Sequence, residues 1–222
     1  MQTPIPAAGQ ASAYLNVGAG EPAPGWLNLD ASPWFLLPRF VHKVLGATGF
    51  SRSVPFARAS YCYYRIRQGI CLPFADESLE GIYGSHVLEH LWSVDIEWFL
   101  GECHRVLHRG GVARFVVPDL VGLCGKMAQS EASWVDFASH LETLPKSFST
   151  HRIRAALEGY WGFPTAHKCM LLPDNLERGM STHWQVKSGP GYLESGMPEE
   201  LLALVESASR CEQSLIFELE KR

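Results

Sequence analysis

Paired cysteines, long apolar runs and blocks of like charge are all missing from this 222-residue chain. The six cysteines are scattered and form no C-x-x-C pair, which excludes a zinc ribbon and a thioredoxin-type redox pair. Isolated thiols of this kind are typical of reduced intracellular proteins, so we expect a cytoplasmic location.

Signals for membranes, secretion and nucleic acid are missing too. No apolar run is long enough to span a bilayer, and the opening residues, MQTPIPAAGQASA, lack the basic start and apolar core of a secretion signal. We therefore expect no membrane partner. The net charge is −4 and no basic run stands out, which argues against nucleic acid as the main partner. A hydrophobic content of 46% excludes global disorder and suits one α/β domain with a large core.

Short apolar segments alternate with segments of helical periodicity, and this pattern predicts a doubly wound, Rossmann-like, mostly parallel α/β sheet. The predicted strands cover residues 14–17, 26–29, 61–66, 81–85, 112–117, 184–187 and 214–219. Helices are predicted over 33–45 with a break at Pro38, over 87–107 with a stop at Gly110 and Gly111, and over 198–207. We expect one domain over 1–222, with 1–12 flexible and a helical insertion or lid at about 122–165.

The stretch LNVGAGEPAPGWLNLD carries the first sign of a ligand site. Gly18 and Gly20 follow the first predicted strand, where glycine lets the backbone turn sharply and lets a ligand approach closely. Asp30 ends the second predicted strand, where an acid can accept both hydroxyls of a ribose. The stretch therefore predicts a nucleoside-cofactor site.

Two further stretches, LPFADESLEGIYGSHVLEHL and ECHRVLHRGGVARFVVPDL, follow in the same chain. In order and spacing, the three stretches resemble class I S-adenosylmethionine-dependent methyltransferases. They are most similar to the methyltransferase type 11-like branch that is often associated with bacterial surface-glycan biosynthesis. The resemblance covers residues 14–120, with a fainter echo at 213–221. It implies S-adenosyl-L-methionine as cofactor, a small-molecule or saccharide acceptor, and methyl transfer to oxygen.

The resemblance also implies which residues bind the cofactor, at the ends of the first, second and fourth strands and in the loop before LPF. They are Asn16, Gly18, Ala19, Gly20, Asp30, Ala31, Gln68, Gly69, Ile70, Ser85 and His86. Gln68 stands where the family usually carries an acid beside the adenine, and its amide still offers both a donor and an acceptor.

Methyl transfer from a sulfonium requires alignment of the acceptor and, for a hydroxyl acceptor, a base to take its proton. His86 is the first candidate because the pKa of histidine ordinarily lies near neutrality. Asp119, after the fifth strand, is the second, and His167 is the third if the C-terminal half folds over the site. We expect no resident metal.

Three alternatives stay open at this point. A domain of this kind can bind the cofactor without turnover. A nicotinamide-dependent oxidoreductase would need a fuller G-x-G-x-x-G and a Tyr-x-x-x-Lys pair, and the sequence shows neither. The residues His86 to His90 spell H-x-x-E-H, an inverted zinc-hydrolase motif, although a strand ending just before His86 argues against the regular helix that the motif needs. The acceptor and the oligomeric state stay open.

Overall fold

A seven-stranded sheet forms the centre of the computed structural model, which describes residues 13–129, 167–169, 171, 183–212 and 214–222. The strands lie in the order β3-β2-β1-β4-β5-β7-β6. Strands β1 to β5 pair in parallel, whereas β7 runs antiparallel to both β5 and β6. Their bounds are Ala13–Val17 (β1), Leu27–Asp30 (β2), Ser60–Tyr63 (β3), Leu79–Ser85 (β4), Leu107–Pro118 (β5), Trp184–Ser188 (β6) and Ser214–Lys221 (β7). The predicted fold class is confirmed.

Helices connect the strands and cover both faces of the sheet. They are α1 (Arg39–Ala47), α2 (Ser53–Arg58), α3 (Ser93–Val106), α4 (Leu120–Ala128), α5 (Glu199–Leu202) and α6 (Ala208–Cys211), with 3₁₀ turns at Pro33–Leu36 and Leu88–His90. Pro38 stands just before α1, so the predicted break there is present. Among the described residues, no helix has the length and apolar character needed to cross a bilayer.

Apolar side chains lie on both faces of β5, as expected for a central strand of a parallel sheet. Phe115 and Phe217 belong to the core on one face, together with Leu15. Val116 and Ile216 belong to a second core on the other face. The alternation follows the two-residue period of a strand, and it explains why the continuous apolar run predicted the part of this strand over residues 112–117.

One charged side chain is fully buried between β5 and the C-terminal elements. The Arg114 guanidinium donates from Nε to Glu206 at 2.7 Å and from one terminal nitrogen to Glu218 at 3.0 Å. The same guanidinium donates to the backbone oxygens of Gly191 and Glu194, both at 2.8 Å. Because two carboxylates face its charge and its donors are occupied, Arg114 connects β7 and the loop before α5 to the centre of the sheet.

Two predicted boundaries were wrong. Strand β3 ends at Tyr63 rather than at residue 66, because its partner β2 ends at Asp30 and offers no further pairing beyond Tyr64. Helix α3 ends at Val106, and the next residue already belongs to β5. The pair Gly110 and Gly111 therefore lies inside that strand, where the positive φ of Gly110 (77°) accompanies a register shift.

The predicted helix over 198–207 was also wrong in extent, because α5 and α6 are separate short helices. Helix α4 begins at Leu120, close to the predicted start of the insertion. Residues 1–12 and most of the predicted insertion lie outside the described residues, so the single-domain assignment stays a prediction.

Candidate cofactor and active site

A cleft of about 810 Å³ opens at the carboxyl ends of the parallel strands, beside the point where the strand order reverses between β1 and β4. It is lined by Val17, Gly18, Leu29, Asp30, Ala31, Tyr64, Arg65, Ile66, Arg67, Gln68, His86, Val87, His90, Leu91, Trp92, Val94, Asp95 and Lys168. Ligands of doubly wound sheets bind at this place, so the cleft is the candidate site.

Gly18 begins the turn after β1 in a conformation that requires glycine. Its φ is +65°, and its N–H donates to the backbone oxygen of Leu29 at 2.9 Å. A Cβ at this position would lie 2.2 Å from Cγ2 of Val87. Both the backbone conformation and the close approach of β4's following loop therefore exclude a larger residue here.

The carboxylate of Asp30 is fixed at the end of β2. Its Oδ2 accepts the backbone N–H of Gly20 at 2.9 Å, and its Oδ1 accepts that of Ser32 at 2.6 Å. A carboxylate oxygen has two lone pairs, so both oxygens keep acceptor capacity toward the cleft. Asp30 can therefore receive the two hydroxyls of a ribose without giving up the bonds that position it.

His86 follows β4 with a left-handed backbone, at φ 54°. Its N–H donates to the Val116 backbone oxygen at 2.8 Å. In its side chain, Nδ1 lies 2.9 Å from Oε1 of Glu89 and Nε2 lies 3.3 Å from Oγ of Ser214. The Glu89 side chain is only 1% exposed, whereas that of His86 is 33% exposed. A buried carboxylate thus orients an imidazole that lines the cleft. The left-handed backbone of His86 is strained for a residue with a side chain, and such strain is typical of functional positions.

The structure brings some of the predicted cofactor residues together and leaves others outside the lining. Those at the cleft are Gly18, Asp30, Ala31, Gln68 and His86. Those outside its lining are Asn16, Ala19, Gly20, Gly69, Ile70 and Ser85. Gly20 acts through its bond to Asp30, while the amide of Asn16 donates to Asn28 at 3.1 Å between buried strands. The assignment of individual cofactor contacts stays a prediction.

Asp95 places a carboxylate beside Gln68, which has an amide where an acid is usual in the family. It lies in the first turn of α3, lines the cleft, and accepts the backbone N–H of Gln68 at 2.8 Å. An acid is therefore present beside Gln68, although it comes from a different segment. No local pattern in the sequence distinguished Asp95 from an ordinary helix-start acid, so the sequence analysis missed it.

The two other candidate bases occupy different places. Asp119 caps α4, accepting the N–H of Gly122 at 2.9 Å, and is not among the lining residues of the cleft. His167 lies against His90, with ring centroids 4.7 Å apart. Residues 167–169 lie against this edge, since the backbone N–H of Lys168 donates to the backbone oxygen of Glu89 at 2.6 Å. Of the three candidates, His86 alone lines the cleft.

Basic and aromatic side chains make up much of the remaining lining. Lys168 donates from Nζ to the His90 oxygen at 2.5 Å and lies 5.7 Å from the ring of Trp92. Burial, reinforced by the nearby charge of Arg65, lowers the pKa of Lys168. Arg67 and Tyr64 also line the cleft. The sequence analysis named none of these residues, because segments far apart in the chain carry them.

The local backbone does not support an inverted zinc-hydrolase motif on one helix. His86 is left-handed, and the three residues that follow Val87 form a single 3₁₀ turn, Leu88–His90. His86 and His90 therefore do not share a face of a regular helix, and the nearest polar groups to His86 are Glu89 and Ser214.

The fold and the position of the cleft define the class of protein. A Rossmann-like sheet ordered β3-β2-β1-β4-β5-β7-β6, with β7 reversed, is the arrangement of class I methyltransferases. The glycine turn after β1 and the carboxylate after β2 both lie at the edge of the sheet where such proteins bind their cofactor.

Comparisons with known proteins agree with this class. Residues 31–115 match the family model described as a methyltransferase domain. Over 88 residues the chain is 34% identical to a protein of Mycolicibacterium smegmatis named "Probable S-adenosylmethionine-dependent methyltransferase", covering 39% of this chain and 34% of that protein. Over 73 residues it is 38% identical to malonyl-[acyl-carrier protein] O-methyltransferase 1 of Coxiella burnetii, covering 32% of this chain and 25% of that protein.

These alignments span about a third of the first relative's length and a quarter of the second's. Among solved structures, a SAM dependent methyltransferase from Archaeoglobus fulgidus superposes with a TM-score of 0.49 and 14% identity, over 96% of this chain and 87% of that chain. The matched residues are therefore similar to a methyltransferase domain. The family match begins one residue after Asp30, so the role of the Gly18 turn rests on geometry.

Proposed function

We propose that this protein transfers a methyl group from S-adenosylmethionine to an oxygen of a small-molecule or saccharide acceptor. One observation carries the proposal: the fixed carboxylate of Asp30 and the imidazole of His86 line the same 810 Å³ cleft at the switch point of the sheet. The open cleft is of the size that small-molecule sites usually have.

The residues present fit a sulfonium nucleoside on two counts. Asp30 retains acceptor capacity for ribose hydroxyls, and the turn is open beside Gly20, where an added Cβ would meet no atom within 4 Å. Gln68, held by Asp95, offers polar groups for the base. The cofactor supplies an activated methyl group, so the chain needs to align the acceptor, exclude water and accept a proton.

His86 is suited to accept that proton. Its contact with the buried Glu89 stabilises the imidazolium that forms when an acceptor hydroxyl loses its proton, and it fixes the orientation of the ring. Nε2 of His86 lies 3.3 Å from Oγ of Ser214, and it can exchange this hydrogen bond for one with the acceptor hydroxyl. Proton transfer of this kind contributes about 10²- to 10⁴-fold to a rate.

The lining of the cleft supports a polar acceptor. Tyr64 and Trp92 offer aromatic surfaces of the kind on which sugar rings pack, while Arg65, Arg67 and Lys168 offer cations for a carboxylate or phosphate. These features favour a saccharide or an anionic small molecule, and they support a role in glycan biosynthesis. The free state of all six cysteines supports a cytoplasmic location.

Calorimetry with S-adenosylhomocysteine tests the proposal at its first step. We expect binding in the micromolar range, no comparable binding of NADH, and methyl release with at least one member of a panel of glycans and small acids. Absence of binding below millimolar concentration would overturn the proposal. Binding of the homocysteine compound without turnover on any acceptor would instead support a domain that only holds the cofactor.

A further inference from the structure

Three side chains that can bind a metal ion converge at the inner edge of the cleft. One oxygen of Glu89 and one ring nitrogen each of His90 and His167 all lie within 4.8 Å of one another. Glu89 and His90 come from the turn after β4, whereas His167 comes from a segment 77 residues further along the chain. The fold therefore brings a distant imidazole, that of His167, to a carboxylate and an imidazole that are neighbours in the sequence.

The backbone holds the second segment firmly against the first. The N–H groups of Lys168 and Cys169 both donate to the backbone oxygen of Glu89, at 2.6 and 3.3 Å. Lys168 also donates from Nζ to the His90 oxygen. With the bond from the Cys169 thiol to the Leu88 oxygen, four bonds attach residues 167–169 to the turn Leu88–His90. The juxtaposition of His167 with His90 therefore does not depend on the side chains alone.

Glu89 supplies an independent sign of a ligand. Its carboxylate is buried, and within the described part of the chain its Oε2 accepts no hydrogen bond. The polar group nearest to it is the ring of His86, whose Nδ1 lies 2.9 Å from Oε1. Burial of a carboxylate is costly unless a cation or several donors lie against it. One oxygen faces His86, and the carboxylate has capacity left for a second positive partner.

We infer that Glu89, His90 and His167 bind a divalent transition-metal ion with the preferences of Zn²⁺. Imidazole and carboxylate ligands suit zinc, and binding would draw the donor atoms to about 2.0–2.2 Å from the ion. Three protein ligands leave a fourth position open, and His90 lines the cleft, so the open position lies on the cleft side. Resting on the proposed function, this position binds an oxygen of the acceptor.

The surrounding groups are compatible with this ion. The thiol of Cys169 donates to the backbone oxygen of Leu88. The ammonium of Lys168 donates to the backbone oxygen of His90 and lies 5.7 Å from the ring of Trp92. His86 contacts Glu89 and is not part of the ligand set. The proposed ligand set therefore contains Glu89 and His90 of the H-x-x-E-H motif, with His167 in place of His86.

Zinc titration of the full chain tests this inference. The protein is stripped with a chelator and titrated with Zn²⁺ against a chromophoric competitor. We expect one tightly bound ion per chain and a rise of the melting temperature on binding. His167→Ala and Glu89→Gln should each weaken binding at least about tenfold, the minimum seen even for lost supporting groups. If His167→Ala does not fold, His167→Gln removes the imidazole while keeping a polar side chain of similar reach.

His104→Ala is the matched control, because His104 and His183 form another histidine pair, with ring centroids 5.6 Å apart. It should leave zinc binding unchanged. Absence of bound zinc, or zinc lost in His104→Ala and retained in His167→Ala, would overturn the inference. S-adenosylhomocysteine binding is measured on the same samples. Absence of zinc from the wild-type protein, with S-adenosylhomocysteine binding intact, contradicts the metal site alone. Bound zinc without S-adenosylhomocysteine binding contradicts the proposed function alone.

Discussion

Gly20 and Asp30 are joined by a hydrogen bond of 2.9 Å from the backbone N–H of the glycine to Oδ2 of the aspartate. This bond connects the turn after β1 to the end of β2, so the two parts of the candidate cofactor site are positioned by each other. It also explains how a short glycine turn, without a helix directly behind it, presents an ordered carboxylate to the cleft.

Replacing Asp30 by alanine should weaken the binding of S-adenosylhomocysteine by about 1–3 kcal/mol, or roughly 5- to 150-fold, because a charged acceptor of ribose hydroxyls is lost. Asp30→Asn should have a smaller effect, since the amide keeps one acceptor oxygen. Calorimetry measures both. Glu97→Ala, which removes an exposed acid on α3, is the control and should bind normally. Normal affinity in a folded Asp30→Ala protein would remove this residue from the site.

Alanine at Gly18 and at Gly20 should have unequal costs. Both glycines have positive φ, so each variant carries backbone strain of about 1–2 kcal/mol. At Gly18 the new Cβ also meets Val87 at 2.2 Å, whereas at Gly20 no atom lies within 4 Å. The clash should add about 1–3 kcal/mol. Urea unfolding compares the two variants. Addition of Val87→Ala should restore part of the loss at Gly18, and equal destabilisation of the two single variants would contradict this account.

His86→Ala should slow methyl transfer by about 10²- to 10⁴-fold while leaving the affinity for S-adenosylhomocysteine nearly unchanged, because the imidazole acts on the acceptor's proton. Single-turnover rates with an accepted substrate measure the effect. His108→Ala alters an exposed histidine on β5 and should retain the full rate. A wild-type rate in His86→Ala would show that the proton leaves by another route.

Glu206→Ala should destabilise the fold by about 3–5 kcal/mol, because it leaves the buried Arg114 without its main counter-charge. Asp76→Asn breaks an ion pair with Arg105 in which the aspartate is 76% exposed, and it should cost no more than about 1 kcal/mol. Denaturant unfolding at neutral pH gives both values. Similar losses of unfolding free energy in the two variants would mean that burial does not determine how much each ion pair stabilises the fold.

Glu102 should make the stability depend on pH in the acid range. The hydrogen bonds from Arg105 lower the pKa of Glu102 in the folded protein. The unfolded chain therefore binds the proton more tightly, and protonation favours unfolding. The stabilisation is complete above the ordinary pKa of glutamate, about 4.3, and is lost as the pH falls through the lower folded-state value. As the pH falls through this range, the midpoint of denaturant unfolding should decrease less steeply in Glu102→Gln than in Glu97→Gln.

The fold could be predicted from the sequence, but only part of the candidate site could. Strand β5 was predictable because residues that are buried on both faces of a sheet leave a continuous apolar run. The positions of Asp30 and His86 at this edge were predictable because Asp30 ends a strand and His86 follows one, and the ends of parallel strands meet at one edge. These features are encoded by neighbouring residues.

Contacts between distant segments could not be predicted in this way. Arg114 binds Glu218 across 104 residues, and Gln68 binds Asp95 across 27. The rings of His90 and His167 meet across 77 residues. No periodicity or turn residue encodes such pairings, so the basic lining of the cleft and the cluster around Glu89 became visible only in three dimensions.

The attachment of residues 167–169 to the Leu88–His90 turn has an evolutionary consequence. The residues proposed to bind the nucleoside come from one uninterrupted portion of the gene product, whereas Lys168 joins the lining of the cleft from far downstream. Exchange of that short downstream element between homologues would change part of the lining and leave the proposed nucleoside-binding residues intact. Such a division lets new substrate preferences arise by recombination or drift without repeated reinvention of cofactor use.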